Sequence, residues 1–127
     1  MIKKKIIVCM TALTITTGVF AANPLLQPYK TPYQTVPFDQ LKTEHFMPAF
    51  DEAMLQNKAE IDAIVNNLKP ATFENTIVAL DRSGRLLAQV SSPFYNLLGS
   101  ETNDELQAVA QELSPKVRLS KFYFSDN

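Results

Sequence analysis

Residues 72–98, TFENTIVALDRSGRLLAQVSSPFYNLL, decide the class of fold. Phe73, Ile77, Leu80, Gly84, Leu87, Ser91, Phe94 and Leu98 recur there at alternating intervals of four and three. That spacing marks a helix with one apolar seam. Thr72 supplies a capping hydroxyl at the start, and Pro70 stops the preceding element. Gly84 and Ser91 are small seam residues that let a neighbouring helix approach closely, at a cost in helix propensity of about 1 kcal/mol for the glycine. Asp81 and Arg85 form an acid-then-base pair four residues apart, worth a few tenths of a kcal/mol. Pro93 has no amide to bond the Gln89 carbonyl, so the helix is expected to kink or end there. Three heptads closed by a proline suit packing within the chain better than a coiled-coil homodimer.

On the amino-terminal side, Phe46, Phe50, Met54, Ile61, Val65 and Leu68 fall at helical spacing, with Asp51, Lys58 and Asp62 opposite. They predict a long helix over residues 43–67, capped by Thr43, with Pro48 early enough to be tolerated. On the carboxy-terminal side, Thr102, Asn103, Asp104 and Glu105 read as a capping box, Thr102 taking an amide while Glu105 reaches back. Leu106, Val109, Ala110 and Leu113 continue as a third helix over residues 103–114, and Pro115 is expected to interrupt it. The fold class is therefore all-α, with about three helices. Residues 22–42 carry Pro24, Pro28, Pro32 and Pro37 among Tyr29, Tyr33 and Phe38. Prolines hold a chain extended and the aromatics are suited to packing, so this stretch reads as a strap lying on the helices. No regular period governs the tail at residues 116–127.

Residues 1–21 stand ahead of the helices as an address. Lys3, Lys4 and Lys5 precede an apolar stretch from Ile6 to Phe20, and Val19 and Ala21 occupy the −3 and −1 positions of a cleavage site. This is the pattern of a secretory signal peptide. The stretch falls short of the roughly 20 residues that span a bilayer and is diluted by Thr11, Thr14, Thr16 and Thr17, so no stable membrane anchor is expected. Export is the expectation, to the periplasm before the medium.

Composition narrows the chemistry. The 127 residues are 46% hydrophobic and 20% charged, with 3 glycines, which is globular rather than low-complexity. Past residue 21 there are 9 basic and 13 acidic side chains, hence no basic footprint for nucleic acid. Cys9 is the sole cysteine and lies in the leader, and His45 is the sole histidine. The mature chain thus has no disulfide, no thiol nucleophile and no set of His or Cys residues from which to build a zinc site. Asp51 with Glu52, Glu60 with Asp62, and Asp104 with Glu105 are the candidate carboxylate pairs, but close neighbours on a helix diverge, so solvated faces explain them. His45 beside Glu44 has no cysteine partner, and Ser83, Ser91 and Ser92 lie far along the chain. A structural hydrogen bond at a helix start explains it better. Gly18, Gly84 and Gly99 are isolated and make no phosphate loop.

Four stretches together carry a resemblance: FDQLKTEHFMPAFDEAM, AEIDAIVNN, TFENTIVALDRSGRLLAQVSSPFYNL and TNDELQAVAQELSP. From about Asn23 to Pro115 the chain resembles the amino-terminal region of bacterial peptidyl-dipeptidases of the thimet-oligopeptidase-like (M3) zinc metallopeptidase family. The resemblance implies a helical, clamshell-shaped parent enzyme that removes dipeptides from the carboxyl end of short peptides. Its zinc would be held by the two histidines of an HExxH helix and a later glutamate. No HExxH occurs in these 127 residues, so no catalytic, cofactor-binding or metal residue of the family transfers to any position. By the resemblance, residues 43–115 belong to the amino-terminal lobe, with Phe46, Phe50, Phe73, Ile77, Leu80, Leu87 and Phe94 as core positions. The tail at 116–127 does not resemble the helices with which the family continues, as a frameshift or early stop near Pro115 would produce. The expectations are an inactive, marginally stable and poorly soluble helical piece whose partners are the missing catalytic lobe and, for the intact enzyme, short peptides. The alternative is a small exported helical protein that binds a partner through its apolar seam.

Overall fold

The computed structural model describes residues 22–125, with side chains as far as Arg118. The signal-peptide reading falls on residues 1–21 and lies outside the described residues. The protein is all-α: α1 (Phe46–Val65), a π-helical segment (Phe73–Val78) running into the short α2 (Ala79–Arg82), then α3 (Arg85–Ser100) and α4 (Asp104–Ser125). No strand occurs among the described residues.

The core forms where three helices and the strap converge. Phe46, Ala49, Phe50 and Ala53 of α1 are buried on one stripe, facing Val90 and Phe94 of α3 and Leu106 and Leu113 of α4. Phe94 is its centre, with ring centroids 5.2 Å from Phe46 and 5.3 Å from Phe50, both edge-to-face. That arrangement sets the positive rim of one ring against the negative face of another. Leu25 of the strap is fully buried and closes the cluster.

The strap meets the helices through buried Leu25 and half-buried Tyr29, whereas Tyr33 and Phe38, expected to pack, are exposed. Rather than remaining extended throughout, residues 22–42 fold into 3-10 turns at Pro24–Leu26, Pro32–Gln34 and Phe38–Gln40. Two of these begin on a proline, whose fixed φ suits the first helical position. The amino-terminal part of the strap is tied both to the turn that opens α1 and to α3. Asn23 Oδ1 accepts from the Leu25 amide at 3.0 Å while its Nδ2 donates to the His45 carbonyl at 2.7 Å. Gln89 Nε2 donates to the carbonyls of Leu25 at 2.9 Å and Gln27 at 3.2 Å.

Pro93 neither ends nor breaks its helix. It is buried in the middle of α3, which continues to Ser100. The Gln89 carbonyl, deprived of its usual donor, instead accepts from the Tyr29 hydroxyl at 3.4 Å. A phenol from the strap thus serves the carbonyl that the proline ring leaves unpaired. Burial raises the Tyr29 phenol above its ordinary pKa, which favours the neutral donor.

The seam over residues 72–98 is one pattern but two elements. The Thr72 hydroxyl accepts from the Asn75 amide at 3.1 Å and Asn75 Oδ1 accepts from the Thr72 amide at 2.8 Å, so the element begins where expected. It stops at Ser83, which is extended, and Gly84, which has φ 71° in the left-handed region. Only glycine adopts that conformation without steric cost. The bend also explains why Asp81 and Arg85 do not pair: they lie on opposite sides of it, and Arg82 instead lies 3.7 Å from Glu74. The close approach expected at Gly84 is present, since a Cβ there would stand 3.1 Å from Asn57 Oδ1.

The bend redirects the seam. Phe94 is buried and Leu87 half-buried, as expected, but Phe73, Ile77 and Leu80 are exposed, Phe73 to 72%. In α1 the stripe likewise leaves the core after Asn57, so that Val65 and Leu68, expected on the buried face, are exposed. Both corrections have the same cause. No element among the described residues lies over that end of the α1–α2 pair, whereas α3, α4 and the strap cover the other.

Three further expectations are corrected. Thr43 does not cap α1: residues Thr43–His45 form a 3-10 turn, and α1 opens at Phe46 with no side-chain cap. The cap of the last helix is Asn103, whose Oδ1 accepts from the Leu106 amide at 2.8 Å, while Thr102 accepts from Gln107 Nε2 at 3.4 Å. The cap therefore stands one residue later than the capping-box pattern predicts. Pro115 sits inside α4, which runs on to Ser125 through most of the segment in which no period is legible. Pro115 and Gln111 both lie on an exposed face, so the carbonyl freed by the proline faces solvent rather than the core.

Candidate functional site

Each residue with chemical potential has a structural partner or a solvated position. His45 occupies the turn that opens α1, and its Nδ1 accepts from the Lys42 amide at 3.1 Å. That uses the lone pair a general base would need, in agreement with the structural reading of this histidine. The serines are spent locally: Ser83 donates to the Leu80 carbonyl at 2.7 Å and Ser91 to the Leu87 carbonyl at 2.6 Å, while Ser92 is exposed. No nucleophile–base pair arises among the described residues.

The carboxylates separate in the same way. Asp51 of α1 accepts from Lys116 Nζ of α4 at 3.1 Å, and that hydrogen bond is the main cause raising the lysine pKa above its ordinary range. Its sequence neighbour Glu52 is exposed. Asp62 pairs with Lys58 at 2.6 Å. Glu60 points elsewhere, its Oε1 accepting from Gln56 at 2.9 Å and its Oε2 from the Gly84 amide at 2.7 Å. Asp104 and Glu105 are exposed in the first turn of α4, where negative charge suits the helix dipole. The paired carboxylates of sequence thus become separate structural contacts.

Sequence reasoning misses Asn57 altogether and, for Glu60, which it groups with Asp62, misses the partner. Glu60 ties α1 to the bend at Gly84 by accepting from its backbone amide. Asn57 falls on the Phe46–Phe50 stripe, is buried to 6% exposure, and its Oδ1 has no partner among the described residues. A polar residue on an apolar stripe is the available signal. It stands where α1 passes the Gly84 bend, with its Oδ1 3.1 Å from where a Cβ on Gly84 would lie.

A cleft of about 440 Å³ lies between the second half of α1 and the π-helical segment with α2, lined by Glu60, Ala63, Ile64, Asn75, Ala79 and Arg82 among others. Its polar groups are turned to internal partners: Glu60 to Gly84, Asn75 to Thr72 and Pro70, Arg82 to Glu74. What it presents is apolar wall rather than reactive groups. No group of three or more His, Cys, Asp or Glu residues suited to a metal gathers among the described residues, so the donors present do not fit the zinc that the resemblance implies. No helix among the described residues is long and apolar enough to cross a membrane.

Comparison with known proteins supplies what the geometry does not. No family model matches the chain. It is 43% identical over 97 residues to dipeptidyl carboxypeptidase of Salmonella typhimurium and 44% identical over 95 residues to that of Escherichia coli, which is 76% and 75% of this chain but 14% of each relative. Oligopeptidase A of Salmonella typhimurium is 28% identical over 93 residues, 73% of this chain and 13% of the relative. The chain therefore matches about one seventh of the length of these curated relatives. Identity at this level over three quarters of the chain, with a helical fold and the four motif stretches in order, places it by descent: the chain belongs, as a counterpart of an amino-terminal stretch, to the family of dipeptidyl carboxypeptidase and oligopeptidase A.

Proposed function

We propose that this chain is the amino-terminal part of an exported zinc peptidyl-dipeptidase, and that alone it is catalytically inactive. Its contribution is scaffolding: a strapped helical unit that helps wall the peptide channel of an intact enzyme acting on the carboxyl end of short peptides. The observation that carries this reading is the 43–44% identity to dipeptidyl carboxypeptidases within a stretch that is 14% of their length. The donor chemistry agrees, because one histidine and separated carboxylates cannot make the tetrahedral ligand set of a catalytic zinc site. Zinc, when bound to the intact enzyme, would polarise the scissile carbonyl and activate water. None of the described residues takes part in that step.

Purified chain, given zinc and a blocked tripeptide, is expected to release no dipeptide. Release that a chelator abolishes would overturn the inactivity. Export is tested separately, by the intact mass of the protein from an envelope fraction: loss of residues 1–21 is expected, and a mass retaining Met1 to Ala21 overturns it. The second reading, a stand-alone exported helical binding protein, is favoured by the exposed apolar face of Phe73, Ile77 and Leu80. Capture of one stoichiometric partner other than a peptidase would establish it.

A further inference from the structure

Among the described residues nine large hydrophobic side chains are substantially exposed, and five of them, Val65, Leu68, Phe73, Ile77 and Leu80, come from one short length of chain around the turn between α1 and α2. Phe73, Ile77 and Leu80 succeed each other at four and three residues on one side of their element. Beside them lies the open cleft floored by Ala63, Ile64 and Ala79. A grouped apolar surface of this kind marks a docking site, whereas singly scattered exposed apolar residues do not. Several of the cleft's polar side chains have partners within the chain, Glu60 with the Gly84 amide and Asn75 with Thr72 and Pro70, so much of what an occupant meets is apolar.

The comparisons bear on what that occupant is. A match of 97 residues in a chain of 127 leaves 30 outside it, so a continuous match includes residues 31–97 wherever it begins, and with them the whole apolar face. The same stretch in the relatives belongs to polypeptides about seven times as long as the matched part. We infer that the face built by Phe73, Ile77 and Leu80, with the adjoining cleft, is the surface on which the remainder of a dipeptidyl carboxypeptidase-type polypeptide docks. This rests on the proposed family role and adds to it the place of contact. The docking surface lies at the opposite end of α1 from the Phe94 core, so the core can form before the partner arrives. An apolar helix face laid into the cleft between α1 and α2 would adopt the usual geometry of helix-in-groove recognition.

The test grafts this chain in place of the matched stretch of the full-length Escherichia coli dipeptidyl carboxypeptidase and compares the graft with the full chain alone by hydroxyl-radical labelling. Labelling of Phe73, Ile77 and Leu80 is expected to fall roughly fivefold or more in the graft, the change from exposed to buried side chains. Labelling of Tyr33, which is exposed on the strap, should be unchanged. Equal labelling of the three residues in both proteins overturns the inference. So does protection in the chain alone that grows with its concentration, because the occupant is then a second copy. Dipeptide release by the graft is read in parallel: release with Phe73 still fully labelled defeats the docking surface and leaves the family role standing. A soluble graft with neither release nor protection defeats both. The double variant Phe73→Ser/Leu80→Ser provides a second arm. It should leave the helicity of the chain alone unchanged and lower release by the graft about tenfold or more, as loss of two buried anchors does; unchanged release counts against the surface.

Discussion

Phe94 and Phe73 lie on the same heptad-spaced seam, yet one is fully buried and the other 72% exposed. The two ends of the molecule differ in the same way. At one end the first half of α1, the second half of α3, the start of α4 and the strap converge, with three aromatic rings in contact and backbone carbonyls taken up by Gln89 and Tyr29. At the other end the second half of α1 and the π-helical segment with α2 line an open cleft, and apolar residues of both face solvent. Apolar periodicity identifies which side of a helix wants burial, but burial itself needs a second element to supply the other surface. One seam can therefore be half core and half interface.

The sharpest way to break this comparison is to truncate both rings. Phe94→Ala is expected to cost about 3–5 kcal/mol, the range for deleting a buried aromatic. Phe73→Ala should stay within about 0.5 kcal/mol, as surface substitutions do. Chemical denaturation of the two variants measures both, and similar costs would mean that the exposed end is in fact part of the cooperative core.

A smaller effect is expected at the junction between the ends. Gly84→Ala introduces a Cβ at φ 71°, 3.1 Å from Asn57 Oδ1. The left-handed backbone alone should cost about 1–2 kcal/mol. Combining it with Asn57→Ala should recover only the steric part, so a double variant as stable as the parent would show that the contact, not the backbone, sets the cost.

Gln89→Leu removes both side-chain bonds to the strap while keeping the bulk of the residue. About 1–2 kcal/mol of stability should be lost, with hydrogen exchange rising at the Leu25 amide before it rises in α1. Uniform exchange across strap and helix would show that the strap does not open separately.

The smallest effect is electrostatic. Lys116 has a raised pKa, chiefly through its hydrogen bond to Asp51, and burial raises that of Tyr29. In both cases the folded state holds the proton more tightly than the unfolded one. Their contribution is therefore complete at neutral pH and is lost as pH rises past about 10, where the unfolded groups begin to ionise. Lys116→Gln should abolish a modest, salt-sensitive share of that alkaline loss, and melting measured between neutral pH and the alkaline range checks it.

Much of this architecture is legible residue by residue. The Phe46–Phe50 stripe, the Thr72 start and the structural hydrogen bond of His45 rest on local rules of spacing, capping and backbone geometry, whereas the strap enters the core through Leu25 and leaves Tyr33 and Phe38, expected to pack, exposed. The misleading signals are equally local. Pro93 and Pro115 leave their helices intact, because the rule that predicts a disturbance counts the missing amide but not the Tyr29 hydroxyl that serves one carbonyl or the solvent that faces the other. Seven heptad-like steps conceal the break at Gly84, because a repeat measures spacing along the chain and not its direction. The candidate carboxylates part company in the fold, since Asp51, Glu60 and Asp62 are each drawn to a different partner.

The sequence by itself determined the helical class, the start of the second helical element at Thr72 and the kinship with dipeptidyl carboxypeptidases, because these depend on neighbours within a few residues or on the order of motifs. Only the tertiary structure decided which apolar residues are core, where the second helix turns, and how the proline-freed Gln89 carbonyl is satisfied. Those outcomes depend on contacts such as Gln89 with Leu25 or Gly84 with Glu60, between residues far apart in the chain. Such contacts exist only when the folded backbone brings the partners together.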